Sequence, residues 1–521
     1  MIKFLMKSIR LTLIAMAVGN FGISTGVAQD WPSRGGGPMR NAVRQLSLVP
    51  AEFQIDRQNK TENVKWIAEL GMGLGSEPAI ANGLVWIGGN NKNPRDPKFN
   101  KDAGVLFCFR ETDGKFLYQH ISPRRDEGRK FDWPSYGIAS TPWVEGDRLY
   151  FCTNRCETVC LNIKPLIEGT GLPKELWKVD MVEKFGVFPG ATHIGSRHLH
   201  CSPVVWGDFV YVNTTHTVHS YQMNDVADRE PAPSLLCFNR HTGKRQWSDN
   251  SPGNLMLGPQ WNNPTVIRAD GVDQVVMGQG DGWVRSFNCQ TGELIWKFDM
   301  NEKLAQTELK KDSLSGRYRR QAIAEPVFCN DRLFLVGGYE YEAGNSTGRV
   351  CCIDPASKGD VSSELLSDTN KIIPNPKSAL IWEFKGSPSG EAGWKADNRN
   401  ANVMHSSFGS VAVARGFAVV VDLNGIVHCL DEQTGKRHWS YDTLDAIWGT
   451  PLIMGEKIIT SNEGGIVYSI PLSQKLELEK IEQNNTYRLF QNSPSFANGC
   501  FYFSDYQQLT VVAAVQASEV E

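Results

Sequence analysis

The stretch Cys429-Leu-Asp-Glu-Gln-Thr-Gly-Lys-Arg-His-Trp439 returns along the chain, and a recurring stretch limits the possible folds more tightly than composition does. Cys237-Phe-Asn-Arg-His-Thr-Gly-Lys-Arg-Gln-Trp247 repeats it nearly letter for letter. Ser286 to Trp296 keeps the frame, and Cys108 to Tyr118 ends in Tyr where the others have Trp.

The residues before Asp431 (Gly425 to Leu430) are apolar and strand-forming, and Asp-x-x-Thr-Gly is a turn in which Gly435 supplies a positive φ. Lys436 to Trp439 opens a second strand, so the repeat is a hairpin that ends in a large aromatic. Upstream of each hairpin lies a small or polar residue, a Pro, an apolar run, a Gly/Asn/Asp turn and an aromatic-rich strand, as in Glu77-Pro78 to Trp86, Thr141-Pro142 to Phe151 and Glu325-Pro326 to Val336. Two hairpins make a four-stranded antiparallel unit, and such units repeated along a chain read as propeller blades.

Eight units fit. They begin at Gly75, Ala139, Cys201, Asn262, Ala324, Phe408, Gly449 and Asn492, and the eighth has three strands before the chain ends. The missing strand is at the other terminus: Val64 to Leu70, with Trp66, has the look of a fourth strand without three predecessors. The expected fold is therefore all-β, an eight-bladed β-propeller of four-stranded antiparallel blades over 63–515, its ring closed by an N-terminal strand. Closure removes two sheet edges that would invite aggregation. Trp66, Tyr118, Trp177, Trp247, Trp296, Trp382 and Trp439 are expected to dock blade on blade.

Residues 1–28 read as a signal peptide: Lys3, Lys7 and Arg10 precede an apolar run from Leu11 to Val18, and Gly26-Val27-Ala28 offers small residues for cleavage. Residues 29–62 would form an N-terminal extension and 516–521 a tail. The expected location is periplasmic or secreted, with no integral span after cleavage near Ala28. A net charge of −3 with 21% charged residues gives no bulk attraction to nucleic acid or anionic membranes. A monomer is expected.

Cys108, Cys160, Cys237, Cys352 and Cys429 occupy one repeat position, point the same way around the ring and read as small core residues rather than disulfide partners. Cys152 and Cys156 flank a short turn, and an exported chain permits a bond between them.

The Asp/Asn-x-x-Thr-Gly-x-x-x-Trp hairpins and x-Pro-x-x-x-x-Gly-x-x-Tyr strands, with Gly280-Asp281-Gly282-Trp283 and Ala446 to Pro451, resemble the PQQ-like (quinoprotein-type) β-propeller repeat family. The resemblance covers nearly the whole mature chain. It implies the fold; for function it is permissive, since the family holds quinone-dependent dehydrogenases and non-catalytic scaffolds such as the outer-membrane assembly lipoprotein.

Cys351-Cys352 is similar to the adjacent-cysteine pair that quinoprotein dehydrogenases place over their cofactor, but here it lies inside a strand whose neighbouring side chains face opposite ways. His193, His198, His200, His216 and His219 lack a zinc frame and read as hydrogen-bonding groups, so no metal ligand is assigned. The residues before the first-strand prolines, Glu77, Thr141, Ser202, Asn263, Glu325, Thr450 and Ser493, with Gly409 or a neighbour, should surround the channel mouth. Glu77 and Glu325 stand diametrically opposite. They can hold a cation or basic group, or each can be hydrated or paired with a basic loop residue. Above them the long loops contribute Arg124, Arg125, Arg129, Lys130, Trp133, Arg317, Arg319, Arg320, Trp394, Arg399 and His405.

Two functions follow from different classes. One is an exported, non-enzymatic scaffold, without cofactor or catalytic residues, that engages a protein, peptide or glycan at the channel mouth. The other, implied by the resemblance, is an oxidoreductase holding PQQ and calcium, with Glu77, Asn263 and Glu325 as cofactor-binding residues; neither its catalytic Asp nor its stacking cysteine pair finds a match here.

Overall fold

The computed structural model describes residues 29–72, 76–125, 135–188, 201–216, 232–255, 260–303, 321–338, 348–385 and 404–517. Eight sheets each carry the four-strand meander. Blade 1 comprises Ala79–Ala81, Leu84–Asn90, Ala103–Arg110 and Phe116–Pro123; blade 6 comprises Ala412–Ala414, Phe417–Val421, Ile426–Asp431 and Arg437–Asp442. Blade 8 takes Ser495–Ala497, Cys500–Ser504 and Gln508–Gln516 from the C-terminal end and is completed by Val64–Glu69. Its register, Gln508↔Glu69 through Val511↔Trp66, is the expected ring closure.

The repeat hairpin gains a physical meaning here. Each repeat Cys faces the repeat aromatic across the third and fourth strands: Cys108↔Tyr118, Cys160↔Trp177, Cys237↔Trp247, Cys352↔Trp382 and Cys429↔Trp439. A bulge follows at once in every case, and it turns the aromatic towards the next blade. There the indole lies on the glycine of the neighbour's Thr-Gly turn. Trp382 covers Gly435, where a Cβ would come within 2.4 Å of the ring, and its Nε1 donates to Glu432 O at 2.9 Å. Trp66 meets Gly114 and Glu111 O, and Trp177 meets Gly243 and Arg240 O. Gly435 therefore serves twice, with its φ of 68° and with its missing side chain.

The exceptions have causes. Blade 5 replaces the turn with the insertion 354–380, so Trp296 of blade 4 is fully buried and bonds Gln274 Oε1 of its own blade. The insertion answers by pairing Gly359–Asp360 in parallel with Leu294–Asp299 of blade 4. Blade 2 also lacks the turn, carrying the helix Lys164–Ile167 instead, and the aromatic facing it is the half-buried Tyr118. Trp247 is only half-buried, less than expected of a docking residue, while Trp66, Trp177, Trp382 and Trp439 are buried. Replacing Trp382 by Ala should cost roughly 3–5 kcal/mol, as for large core aromatics. Chemical denaturation measures it, and an unchanged midpoint would contradict the docking role.

All twelve cysteines are free thiols. The expected Cys152–Cys156 bridge is not formed, because the strand register sets Cys152 opposite Thr158. Cys156, at a φ of 62°, turns its sulfur towards Thr214 O of blade 3. Cys351 and Cys352 face opposite ways, into the layers between blades 4 and 5 and between blades 5 and 6.

Residues 29–62 are not a separate extension. From Trp31 to Arg44 the chain runs around the inside of the ring, on the inner edges of the first strands. Trp31 and Ile80 exchange backbone bonds at 2.8 Å, Val144 N donates to Pro32 O, Val266 N to Pro38 O, Phe328 N to Met39 O and Ile453 N to Ala42 O. Asn41 bonds both backbone groups of Val413 through its amide, and Val43–Arg44 pairs in parallel with Leu452–Met454. The blade N–H groups just named, of Ile80, Val144, Val266, Phe328 and Ile453, each lie two residues after a first-strand Pro. Groups left open by an eight-fold ring are thereby satisfied by a ninth, irregular strand. Leu48–Pro50 then adds to Gln508–Gln516.

Candidate functional site at the channel mouth

The head residue of each blade is fixed by its neighbour. Glu77 N donates to Thr141 Oγ1, Thr141 N to Ser202 Oγ and Ser202 N to Asn263 Oδ1. Asn263 Nδ2 donates to Glu325 Oε1, and Ser410 Oγ to Glu325 Oε2 at 2.8 Å. Ser410 N then donates to Thr450 Oγ1 and Thr450 N to Ser493 Oγ. Ser493, the last head, faces the Glu77 carboxylate of the first and helps to hold its pKa down. The heads form a polar girdle, and the blade 6 member is Ser410. The hydroxyl and amide side chains of Thr141, Ser202, Asn263, Thr450 and Ser493 accept the N–H of the preceding head, and Ser410 donates to Glu325, so these groups are spent on ring closure.

Arg34 fills the girdle. Its Nε donates to Glu325 Oε1 and its Nη1 lies 2.7 Å from Glu77 Oε1, so one guanidinium joins two carboxylates on opposite sides of the ring. The basic group paired with Glu77 and Glu325 comes from the N-terminal segment, not from the loops. A tight turn delivers it: Gly35 and Gly36 have φ of 64° and 76°, and a Cβ on Gly35 would lie 2.9 Å from Arg40 Cα. Arg40 is buried as well, and its guanidinium donates only to carbonyls, of Arg34, Ser202, Pro203 and Pro264.

The two carboxylates are not equivalent. Burial raises the Glu325 pKa, but the Arg34 charge, the Asn263 bond, Arg40 and the Ser410 bond outweigh it and leave it lowered. For Glu77 burial wins, and the pKa is raised in spite of Arg34. Geometry gives the reason: Glu77 Oε1 is near Arg34 but has no aligned donor. Arg34 itself is pushed up, since Glu325 and Glu77 together exceed the cost of burial. Burial lowers Arg40 to about 10.

A cavity of about 10 Å³, room for about one water molecule, remains beside Arg34, lined by Trp31, Arg40, Glu77, Glu325, Thr450 and Ser493 among others. It is smaller than the usual small-molecule site. The set does not fit calcium with a quinone: the carboxylate oxygens that would hold the metal are engaged by Arg34, Asn263 and Ser410, and the axis is taken by a side chain of the same polypeptide. Among the described residues no group of three His, Cys, Asp or Glu is placed to hold a metal ion.

Two members of the expected basic rim are not on it. His405 is buried; its Nδ1 lies 2.8 Å from Asp422 Oδ2, which also meets His428 Nε2 at 3.2 Å, while His428 Nδ1 lies 2.8 Å from Ser440 Oγ. This network ties the connection into blade 6 to its turn between second and third strands, and the two histidines overcome burial to bring Asp422 down to about 2. Arg125 is buried against Asp180. Arg124 lies 3.8 Å from Asp102. Arg129, Lys130, Trp133, Arg317, Arg319, Arg320, Trp394 and Arg399 lie outside the described residues, as do His193, His198, His200 and His219. His216 is buried and accepts from Phe188 N at 3.0 Å, a structural bond.

Aromatic residues two before the heads form a further layer. Trp261, Phe408 and Trp448, from blades 4, 6 and 7, stack in succession with centroids 5.1 and 5.2 Å apart. They are half-buried and lie on the face that carries the connections between blades.

The fold is shared with quinone-dependent enzymes. A europium-containing methanol dehydrogenase superposes with a TM-score of 0.57 at 12% identity, covering 91% of this chain and 89% of that one. The quinohemoprotein alcohol dehydrogenase from Comamonas testosteroni superposes with a TM-score of 0.55 at 12% identity, covering 95% and 81%. Among curated sequences, the outer membrane protein assembly factors BamB of Legionella pneumophila and Kangiella koreensis are 22% and 23% identical, each over 39% of this chain. The match spans about half of those relatives, 49% and 50% of their length. The factor of the same name from Moranella endobia is 22% identical over 63% of this chain and 84% of its own. A family model described as outer membrane protein assembly factor BamB matches residues 170–379 and 385–475, over half of the chain. With that match laid over the blades described above, the chain belongs to this family of PQQ-like β-propellers.

Proposed function

We propose that this protein is an exported, non-enzymatic binding propeller that engages a protein partner through the face carrying the connections between blades, where a peptide segment or glycan of that partner would meet the channel mouth. The observation that carries this reading is Arg34: the axial position where a propeller enzyme would hold its cofactor is filled by the chain's own guanidinium, clamped by Glu77 and Glu325. What remains for function is surface. The curated relatives are named as assembly factors for outer membrane proteins, which supports a protein as the partner and the periplasm as the location. The leader-like residues 1–28 support export in the same way.

Photo-reactive residues installed one at a time test the face. Lys98 and Glu183 are exposed on the connection-bearing side; Asp270 and Arg415 are exposed at turns between first and second strands, on the opposite side. In intact cells, adducts to another protein are expected from Lys98 or Glu183 and not from Asp270 or Arg415. Adducts formed only from the second pair would contradict the assignment. Absorbance of the purified protein with PQQ and calcium separates the enzyme reading, for which a bound-quinone spectrum is required; the scaffold reading expects the spectrum of free quinone.

A further inference from the structure

At two junctions of the ring, the last residue of a second strand reaches the residue just before the next blade's head. Asn213 of blade 3 donates through Nδ2 to Asn262 O of blade 4, and Ser504 of blade 8 donates to Ser76 O of blade 1 at 3.2 Å. At the junction of blades 2 and 3 the same two positions are Cys152 and Cys201. Both are buried in one layer, and the Cys201 thiol is among the groups that act on the Cys152 thiol. Both residues are anchored within their own blades: Cys152 N donates to Ser140 Oγ at 3.1 Å, and Cys201 Sγ accepts from Asn213 N at 3.2 Å. The exchange of a polar contact for two sulfurs, at a position where these junctions bring a side chain of one blade onto the next, needs its own explanation.

We propose that Cys152 and Cys201 close a disulfide between blades 2 and 3 when the chain folds in the presence of a disulfide oxidant. The reaction balances by thiol–disulfide exchange. One thiolate attacks the oxidant and forms a mixed disulfide, the second thiolate displaces the remaining half, and the oxidant leaves as two thiols carrying the two electrons and two protons. In the finished fold both sulfurs are shut away from solvent and burial pushes the Cys152 thiol well above its ordinary value, so the bond must form before blades 2 and 3 dock. Cys156 is a poorer partner because its sulfur points to Thr214 O. The bond would link two blades beside the girdle, where Thr141 N already donates to Ser202 Oγ. An exported location supplies such an oxidant, so occurrence in the cell rests on the proposed export, whereas the pairing does not.

The pairing is tested in vitro. Protein from residue 29 to the C-terminus is fully reduced in denaturant and refolded with reduced and oxidised glutathione. It is then quenched with iodoacetamide in denaturant and mapped by mass spectrometry. The expected result is a cross-linked peptide pair carrying Cys152 and Cys201, retained in Cys156→Ser and lost in Cys201→Ser, with a melting temperature several degrees lower after reduction and refolding without oxidant. Carbamidomethylation of both residues in the refolded wild type would overturn the proposal, and so would a bond from Cys152 to Cys156. Repeating the map on protein isolated after export tests the compartment separately.

Discussion

Arg34→Met is expected to destabilise the protein by about 3–5 kcal/mol at neutral pH, the usual cost of removing one member of a buried ionic cluster. Two carboxylates would remain in the girdle with no cation between them, Glu77 at 2% exposure and Glu325 at 4%. The pH dependence distinguishes this from lost packing. In the wild type the lowered Glu325 contributes stability above its unfolded pKa, and that contribution is lost as pH falls through the folded value. Without Arg34 the largest charge that lowers Glu325 is gone and Glu77, already raised by burial, is raised further, so the folded state holds protons more tightly than the wild type does. The deficit of Arg34→Met should therefore shrink as pH is lowered towards the ordinary carboxylate range. Adding Glu77→Gln and Glu325→Gln should recover much of the loss at neutral pH. Arg34→Lys should not rescue, since a single ammonium cannot present Nε and Nη1 to carboxylates on opposite sides of a ring. Denaturation midpoints at neutral and acidic pH give the answer, and a deficit that does not change with pH would contradict the clamp.

Deleting residues 29 to 70 should have the largest effect of all. It removes the fourth strand of blade 8, so the edge of Gln508–Gln516 loses its partner and Trp66 no longer covers Gly114. It also removes the segment on the inner edges of the first strands, including both axial arginines. The truncated protein is expected to aggregate or to be cut rapidly by protease, as open edges predict. A shorter deletion, 31 to 44, separates the two contributions by keeping Val64–Glu69; it should remain closed but melt lower. A truncated 71–521 that stays monomeric with unchanged melting would contradict the closure.

The ring was legible because its determinants are local and repeated. Asp431 to Trp439 encodes a turn, a strand and the aromatic that docks it, and the same letters at Asn239 to Trp247 fix the period. The unpaired strand at Val64 was legible for the same reason: its Trp announced a fourth strand. Positions around the mouth could be named from the prolines, and Glu77, Asn263 and Glu325 do meet there. What held them was not legible. Trp31 to Arg44 has neither period 2 nor period 3.6, since it follows a ring of edges and not a sheet, and Arg34 lies far in sequence from Glu325. A signal was present in retrospect: an arginine followed by three glycines, ahead of the first blade, in a chain with two acidic heads. His405 was misplaced on the rim because its partner Asp422 belongs to a turn that looks like any other Asp-x-Asn-Gly turn.

Amide hydrogen exchange of the segment 31–44 tests the central claim most directly. If the segment is the inner wall of the propeller, with Trp31 N bonded to Ile80 O and Val43–Arg44 laddered onto Leu452–Met454, a peptide covering it should exchange far more slowly than free chain. PQQ with calcium should leave that protection unchanged. Exchange of 31–44 at the rate of free chain, while the first strands stay protected, would mean that Arg34 does not hold the axis.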